Sequence, residues 1–390
     1  VGLGIKTALR RRFGAPYVDL EYTEARAYTA LLKLPGGATL PLPDGAQDGA
    51  LDVAVVVPFF ARGSGGHTTI ANLVRGLERR GHRCSLWIED LEGRIPNGAT
   101  DGPRQLREWF GPFNAPVHYG FADWRGADVV VATGWQTVAR VRTLAAAGRA
   151  YLVQDHEPEF YATSSRRTWA AASYRQGLHP ITAGAWLADV MRDEYGLDAT
   201  PFDLGINGAR YTPDPAVARR PDVVLAYARR TTPRRGVAVA LSALAELHAR
   251  RGDRVEIRLF GQDGDAGVDF PHVNLRVLDD GALPALYSEA TVGLVLSLTN
   301  YSLVAQEMLA CGLPCVELDA PSVVRAFGRD GPVDFAPLDP GALADALERL
   351  LDDPQARAAR AAAGARLRAE RTWDRAAGQV EAGLRAALRR

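Results

Sequence analysis

Short apolar runs alternate with amphipathic stretches along most of this chain. DVAVVV (52–57) reads as a strand buried on both faces, and TTIANLVRGLERRG (68–81), with helical spacing of its apolar positions, as the helix behind it. CSLWIED (84–90), DVVVATG (128–134), YLVQD (151–155) and HPITA (179–183) read as further strands, with a helix from Trp135 to about residue 147. Their continuous β-branched character points to parallel strands covered on both sides. After residues 198–215, rich in Gly, Pro, Asn and Asp, the alternation restarts with DVVLAYA (222–228), VEIRLFG (255–261), VNLRVL (273–278), TVGLVLS (291–297) and PCVEL (314–318). Helical spacing fills about 236–250, 282–289 and 303–311, and residues 340–390 are helical and polar.

Alternating strand and helix predicts an α/β protein of two doubly wound, Rossmann-like domains facing across a cleft. The expected boundaries are 1–204 for the first domain, 205–370 for the second, and 371–390 for a terminal helix packing back on the first. A chain of 390 residues is too long for one ordinary core, which agrees.

Composition removes several classes. Lys and Arg number 46 and Asp and Glu 46, so no net field draws the chain to nucleic acid. Cys84, Cys311 and Cys315 have neither disulfide-framework nor zinc spacing, and a reducing, cytoplasmic setting fits them. No apolar run approaches the ~20 residues of a membrane span. The basic, apolar segment VGLGIKTALRRRF (1–13) reads as a surface helix, with peripheral contact to an anionic membrane as its alternative use.

The candidate chemistry lies in strand-to-helix turns. ARGSGGHTT follows the first strand, and its Gly63, Gly65 and Gly66 let an oxyanion or sugar approach the helix N-terminus, with His67 at the helix start. Its spacing is neither the dinucleotide fingerprint nor a P-loop. In SLTNYSLVAQEMLACGLPCVELD (297–319) a helix begins near Ser302. The first-turn amides of Ser302, Leu303 and Val304 are suited to a phosphate, and Glu307 to a ribose diol.

This second segment resembles the signature of the GT-B glycosyltransferases called glycosyl transferases group 1, or family 4. The resemblance covers about residues 50–370. Laid on the family's E-x-F-G-x-x-x-x-E pattern, the second glutamate is Glu307, the Gly-x-Pro pair is Gly312 and Pro314, and Tyr301-Ser302 stand for Phe-Gly. The first glutamate, which in the family contacts the donor sugar, falls on Thr299, so that contact passes to neutral hydrogen bonds from Thr299 or Asn300. ARRTTPRRG (228–236) resembles the family's diphosphate clamp G-R-x-x-x-x-K-G, with Arg235 at the lysine place and Arg230, or Arg229 in a longer loop, at the arginine place. YLVQDHEPEFY (151–161), VATGWQT (131–137) and the basic turn look like the rhamnan-synthesis and rhamnosyltransferase subgroup, which uses dTDP-L-rhamnose for bacterial surface glycans.

The resemblance implies a hexosyltransferase that takes a nucleotide-sugar donor and a saccharide or lipid-linked glycan acceptor, retains configuration and needs no metal or cofactor. LDD (278–280) precedes a helix, and its register does not suit a divalent ion. Such an enzyme belongs in the cytoplasm, at the inner face of the plasma membrane. QDHEPEF (154–160) offers Asp155 and His156 as proton-handling residues. His67, Trp135, Gln136 and Tyr161 are candidate acceptor contacts. The base is expected near 261–263 and 277–283. The competing classes are a UDP- or GDP-sugar transferase, an NAD-dependent oxidoreductase and a non-catalytic sugar-binding protein.

Overall fold

A computed structural model describes residues 20–42, 45–46, 48–279 and 281–389. The 1–13 segment and Asp280 lie outside the described residues. The chain divides into two compact units. The first comprises residues up to Leu152, Ala172–His179 and the segment from Leu384; the second comprises Val153–Ala171 and Pro180–Gly383.

Most of the first unit is built on strands β1 (Asp52–Val57), β2 (Arg83–Ile88), β3 (Val117–Tyr119), β4 (Ala127–Ala132) and β5 (Ala146–Val153), in the order β3-β2-β1-β4-β5. Neighbouring strands in this order run parallel, with Val55 opposite Leu86 on one side and Val131 on the other. Buried valines on both sides of β1 account for that central place: every residue from Val53 to Val57 is enclosed.

In the second unit β6 (His179–Ala183), whose first residue is counted with the first unit, pairs with β7 (Thr200–Phe202) in parallel. A separate sheet holds β8 (Val223–Tyr227), β9 (Glu256–Phe260), β10 (Val273–Asn274), β11 (Val292–Leu294), β12 (Cys315–Leu318) and β13 (Val333–Ala336), ordered β10-β9-β8-β11-β12-β13 and wholly parallel. Its core packs β8, β9, β11 and β12 against the Val237–Arg251 and Pro340–Asp352 helices through residues such as Val224, Leu244, Leu259, Leu294 and Leu347. The order reverses between β8 and β11, and at such a switch point the loops leaving two neighbouring strands part and leave a crevice at their carboxyl ends.

Several elements differ from the sequence reading, which held no strand at β3 or β13. The Trp135 helix stops at Thr143, not near 147, because β5 starts at Ala146 and is buried on both faces; burial overrides the helix preference of three consecutive alanines. Arg142 fixes that end by donating to the carbonyls of Leu31, Leu32 and Leu34. The 198–215 stretch, read as a connection, contains β7. VNLRVL contributes only Val273–Asn274, since Arg276 takes a φ of 62° that no strand continues through. The polar C-terminal segment forms helices Pro340–Asp352, Pro354–Glu370 and Trp373–Ala387, two of them capped by Asp339 and Asp353.

Candidate functional site

The switch point of the second unit brings together the turn after β8 and the loop after β11. The turn runs through a 3₁₀ segment, Pro233–Arg235, and enters the Val237–Arg251 helix at Gly236, whose φ of 53° suits glycine. The Leu298 amide donates to the Arg234 carbonyl at 3.0 Å, so main chain joins the two loops.

Asp155, buried beyond the end of β5, is the hub of this region. Its Oδ1 accepts from the main-chain amides of His156 (2.9 Å) and Asn300 (3.0 Å). Its Oδ2 accepts from the Thr299 hydroxyl (3.0 Å) and faces the Arg234 Nε at 3.2 Å. Asn300 donates from its amide nitrogen to the carbonyls of Gln154 (2.9 Å) and Ala183 (2.8 Å), and its oxygen accepts from the Tyr301 amide. The Tyr301 hydroxyl accepts from the Leu204 amide at 3.2 Å, and its ring packs edge-on against Phe327. Thr299, Asn300 and Tyr301 therefore hold the loop to Gln154 and Asp155, to the end of β6 and to Leu204 after β7 from buried positions. Arg234 lies 4.3 Å from the centre of the Phe160 ring, and burial lowers the pKa of its guanidinium.

The four arginines of the turn stand in different surroundings. Arg230 spends one nitrogen on the Ala266 carbonyl and lines a shallow surface depression with Ser242 and Phe270. Arg234 pairs with Asp155. Arg235 makes one side-chain hydrogen bond, from Nη1 to the Ser297 hydroxyl at 2.9 Å, which leaves most of its fork uncommitted among the described residues. Arg229 is half-buried beside Gly261.

Ser302 is the N-cap of the Leu303–Ala310 helix, and its hydroxyl accepts from the Val304 amide at 3.2 Å. One of the three amides expected to meet a phosphate thus already has a partner. Glu307 is half-buried one turn further on, and its charge, after burial itself, raises the pKa of the enclosed Tyr287 hydroxyl. Of the expected base-binding segments, Gln262 is buried with its Nε2 lacking a hydrogen-bond partner, while Val277 is 61% exposed. His156 is buried, its Nε2 3.0 Å from the Tyr195 hydroxyl and its Nδ1 3.5 Å from Glu159. Tyr161 is half-buried next to Phe160.

In the first unit the glycine-rich turn leads into the Gly65–Arg79 helix. Gly63 has a φ of 75°, and side-chain atoms built at Gly63 or Gly65 would meet nothing within 4 Å. Ser64 stands at the N-cap but makes no cap bond; its hydroxyl pairs with His67 Nδ1 at 2.8 Å. Gly66 is the second residue of the helix. The His67 ring packs beside Phe60 and Phe110, and burial lowers its pKa to about 4. Trp135 is 1% exposed and meets Tyr28 edge-on at 5.1 Å, whereas its neighbour Gln136 is half-buried.

Sequence reasoning singled out Asp155, Thr299, Asn300 and Arg235, which the fold assembles around one pair of loops. It passed over Arg234, Ser297, Phe160 and Glu317. Arg234 stood inside the quoted basic turn but off the expected spacing. Glu317 carried a signal of its own, a carboxylate inside the apolar run PCVEL. Such a residue is charged, buried or at an edge, and β12 is central and buried throughout.

Two family models match separate parts of the chain. The family model described as glycosyl transferases group 1 matches residues 221–353, and that described as WsaF, N-terminal domain, matches residues 120–183. O-antigen biosynthesis protein RfbC of Myxococcus xanthus is 32% identical over 200 residues, which are 50% of this chain and 16% of that protein. The matched half of the chain thus spans about a sixth of that relative's length. Among solved structures, Anabaena HepE in complex with UDP superposes with a TM-score of 0.66 at 14% identity, covering 86% of this chain and 100% of that one. Sucrose-phosphate synthase of Thermosynechococcus elongatus gives 0.63 at 15% identity, over 86% and 99%. At such identities these neighbours establish the fold: two parallel-sheet α/β domains of the GT-B type.

Proposed function

We propose that this chain is a glycosyltransferase that moves a sugar from a nucleotide donor to a saccharide or lipid-linked acceptor in bacterial surface-glycan synthesis. The observation that carries the reading is the pairing of two features at the switch point of the second unit. One is an arginine fork fixed on one side only, Arg235. The other is the start of the Leu303–Ala310 helix. Both suit the diphosphate that leaves when the anomeric C–O bond breaks, because negative charge grows on its oxygens while guanidinium and main-chain N–H groups are already oriented. The match of residues 221–353 to the group 1 family supports this assignment, and the RfbC relative supports the surface-glycan setting.

The finer reading is transfer of L-rhamnose from dTDP-L-rhamnose, without a metal and with retention. The subgroup likeness of 131–161 and 227–236 favours the sugar. Asp155 favours retention: both its oxygens are engaged by hydrogen bonds or the Arg234 charge, which suits a positioning role better than that of a base activating the acceptor. A UDP-sugar is the second reading, favoured by the UDP bound to the HepE neighbour. In the first unit His67 and Gln136 are the acceptor-side candidates. No helix among the described residues is long and apolar enough to cross a membrane. The contact proposed with the inner face of the plasma membrane is a peripheral one.

A melting-temperature screen against dTDP, UDP, GDP and their sugars tests the donor. Stabilisation by dTDP above the others is expected; preference for UDP moves the assignment to the second reading, and no response to any nucleotide ends the proposal. Turnover unchanged by EDTA, and an anomeric proton signal showing the donor's configuration in the product, are the outcomes expected for the metal and the stereochemistry.

A further inference from the structure

Behind the diphosphate turn lies a carboxylate that reaches neither the helix start nor the open side of the arginine fork. Glu317 is 0% exposed on β12. Its Oε2 accepts from the amides of Ser297 (3.1 Å) and Leu318 (2.7 Å), and its Oε1 is enclosed without a hydrogen-bond partner among the described residues. Ser297, also 0% exposed, accepts the hydrogen bond from Arg235. A buried carboxylate is costly, and a structure needing only two amides satisfied has cheaper acceptors. What the carboxylate adds, once it ionises above about pH 7, is charge. Its Oε2 holds the Ser297 main chain and the Ser297 hydroxyl holds Arg235, so an acid, a serine and a guanidinium stand in series from the sheet interior to the turn. Such a chain polarises along its length, and it limits the orientations open to a long, flexible arginine.

We propose that Glu317 is a positioning residue for the diphosphate clamp: it fixes Ser297 from within the sheet, and Ser297 fixes the Arg235 fork in the direction the leaving group requires. This inference rests on the assignment of Arg235 to the diphosphate. It adds that the clamp is set by a side chain which never touches the substrate.

A mutant cycle at about pH 8, where the carboxyl is ionised, with inorganic pyrophosphate as the probe and followed by calorimetry, tests it without knowledge of the base or sugar. Glu317→Gln keeps the shape and one acceptor but removes the charge, and Ser297→Ala removes the link itself. Each is expected to weaken pyrophosphate binding about tenfold in the wild-type background and less than about twofold in an Arg235→Ala background, since a residue acting through Arg235 has nothing left to act on. Equal losses in both backgrounds, or no loss in either, overturn the inference. If Arg235→Ala itself leaves pyrophosphate affinity unchanged, the diphosphate assignment fails first. Should Glu317→Gln not fold, as judged by its melting curve, Ser297→Ala alone decides the matter by the same criterion.

Discussion

The two strand-to-helix turns at the heart of this protein solve one problem in opposite ways. After β1 the chain is opened by glycines, its helix start has no side-chain cap, and a Cβ added at Gly63 or Gly65 would meet nothing beyond its own chain neighbours within 4 Å. After β11 the loop is packed with buried polar groups, its helix is capped by Ser302, and Asp155, Asn300 and Tyr301 tie it to neighbouring strand ends. The difference teaches that backbone access and side-chain precision are separate devices. The first turn is accessible because it has little side chain; the second is exact because buried hydrogen bonds leave it few alternatives.

The largest expected effect separates the two turns by charge. Arg235→Ala should lower turnover about 100-fold or more, the cost of removing one preorganised donor to developing charge, with little change in melting temperature. Gly65→Ala in the first turn should leave pyrophosphate affinity within about twofold of wild type in the same calorimetric assay, and a comparable loss there would erase the contrast. Next in size is Asp155→Ala. Loss of the buried hub leaves the Asn300 and His156 amides and the Arg234 charge without their acceptor, and should cost about 3 kcal/mol in urea denaturation.

The turns should also respond to pH in opposite senses. Burial lowers the His67 pKa from 6.5 to about 4. Between those values the unfolded chain binds a proton that the folded chain refuses, so this contribution to stability is complete above pH 6.5 and is lost as pH falls towards 4. Burial raises the Glu317 carboxyl from 4.5 to about 7, against the pull of Ser297, Leu318 and Arg235. There the folded chain holds the extra proton, so the contribution is complete below pH 4.5 and is lost as pH rises through 7. Denaturation curves of His67→Asn and Glu317→Gln from about pH 4 to 8 should each lack one of these slopes. The smallest effect concerns the caps: Ser302→Ala should cost about 1 kcal/mol and Ser64→Ala less than about 0.5 kcal/mol, since only Ser302 serves its helix by accepting from Val304. Equal losses would show that capping is not what distinguishes the turns.

Much of this architecture is legible in the amino-acid sequence. Valine-rich runs such as DVAVVV and DVVVATG announce buried parallel strands because no other local structure hides them so fully. The segment from Thr299 to Glu307 announces a strand-loop-helix junction by its composition. Other features are hidden for identifiable reasons. The alanines at 145–147 favour a helix locally, and only the neighbouring strand and the Gly37 to Leu40 segment make β5 start there. Trp135 invites assignment as a sugar contact because of its ring, and the fold encloses that ring against Tyr28.

From the sequence alone follow the class of the chain, the places where strand gives way to helix, and the residue types available at each junction, because periodicity and turn chemistry act over a few residues. Which arginine of the turn keeps its fork uncommitted, which carboxylate becomes a hub and which is sealed in the sheet are decided by contacts between residues 20 to 145 positions apart. Such contacts exist only once the strands have taken their order, and that order is a property of the packed sheet.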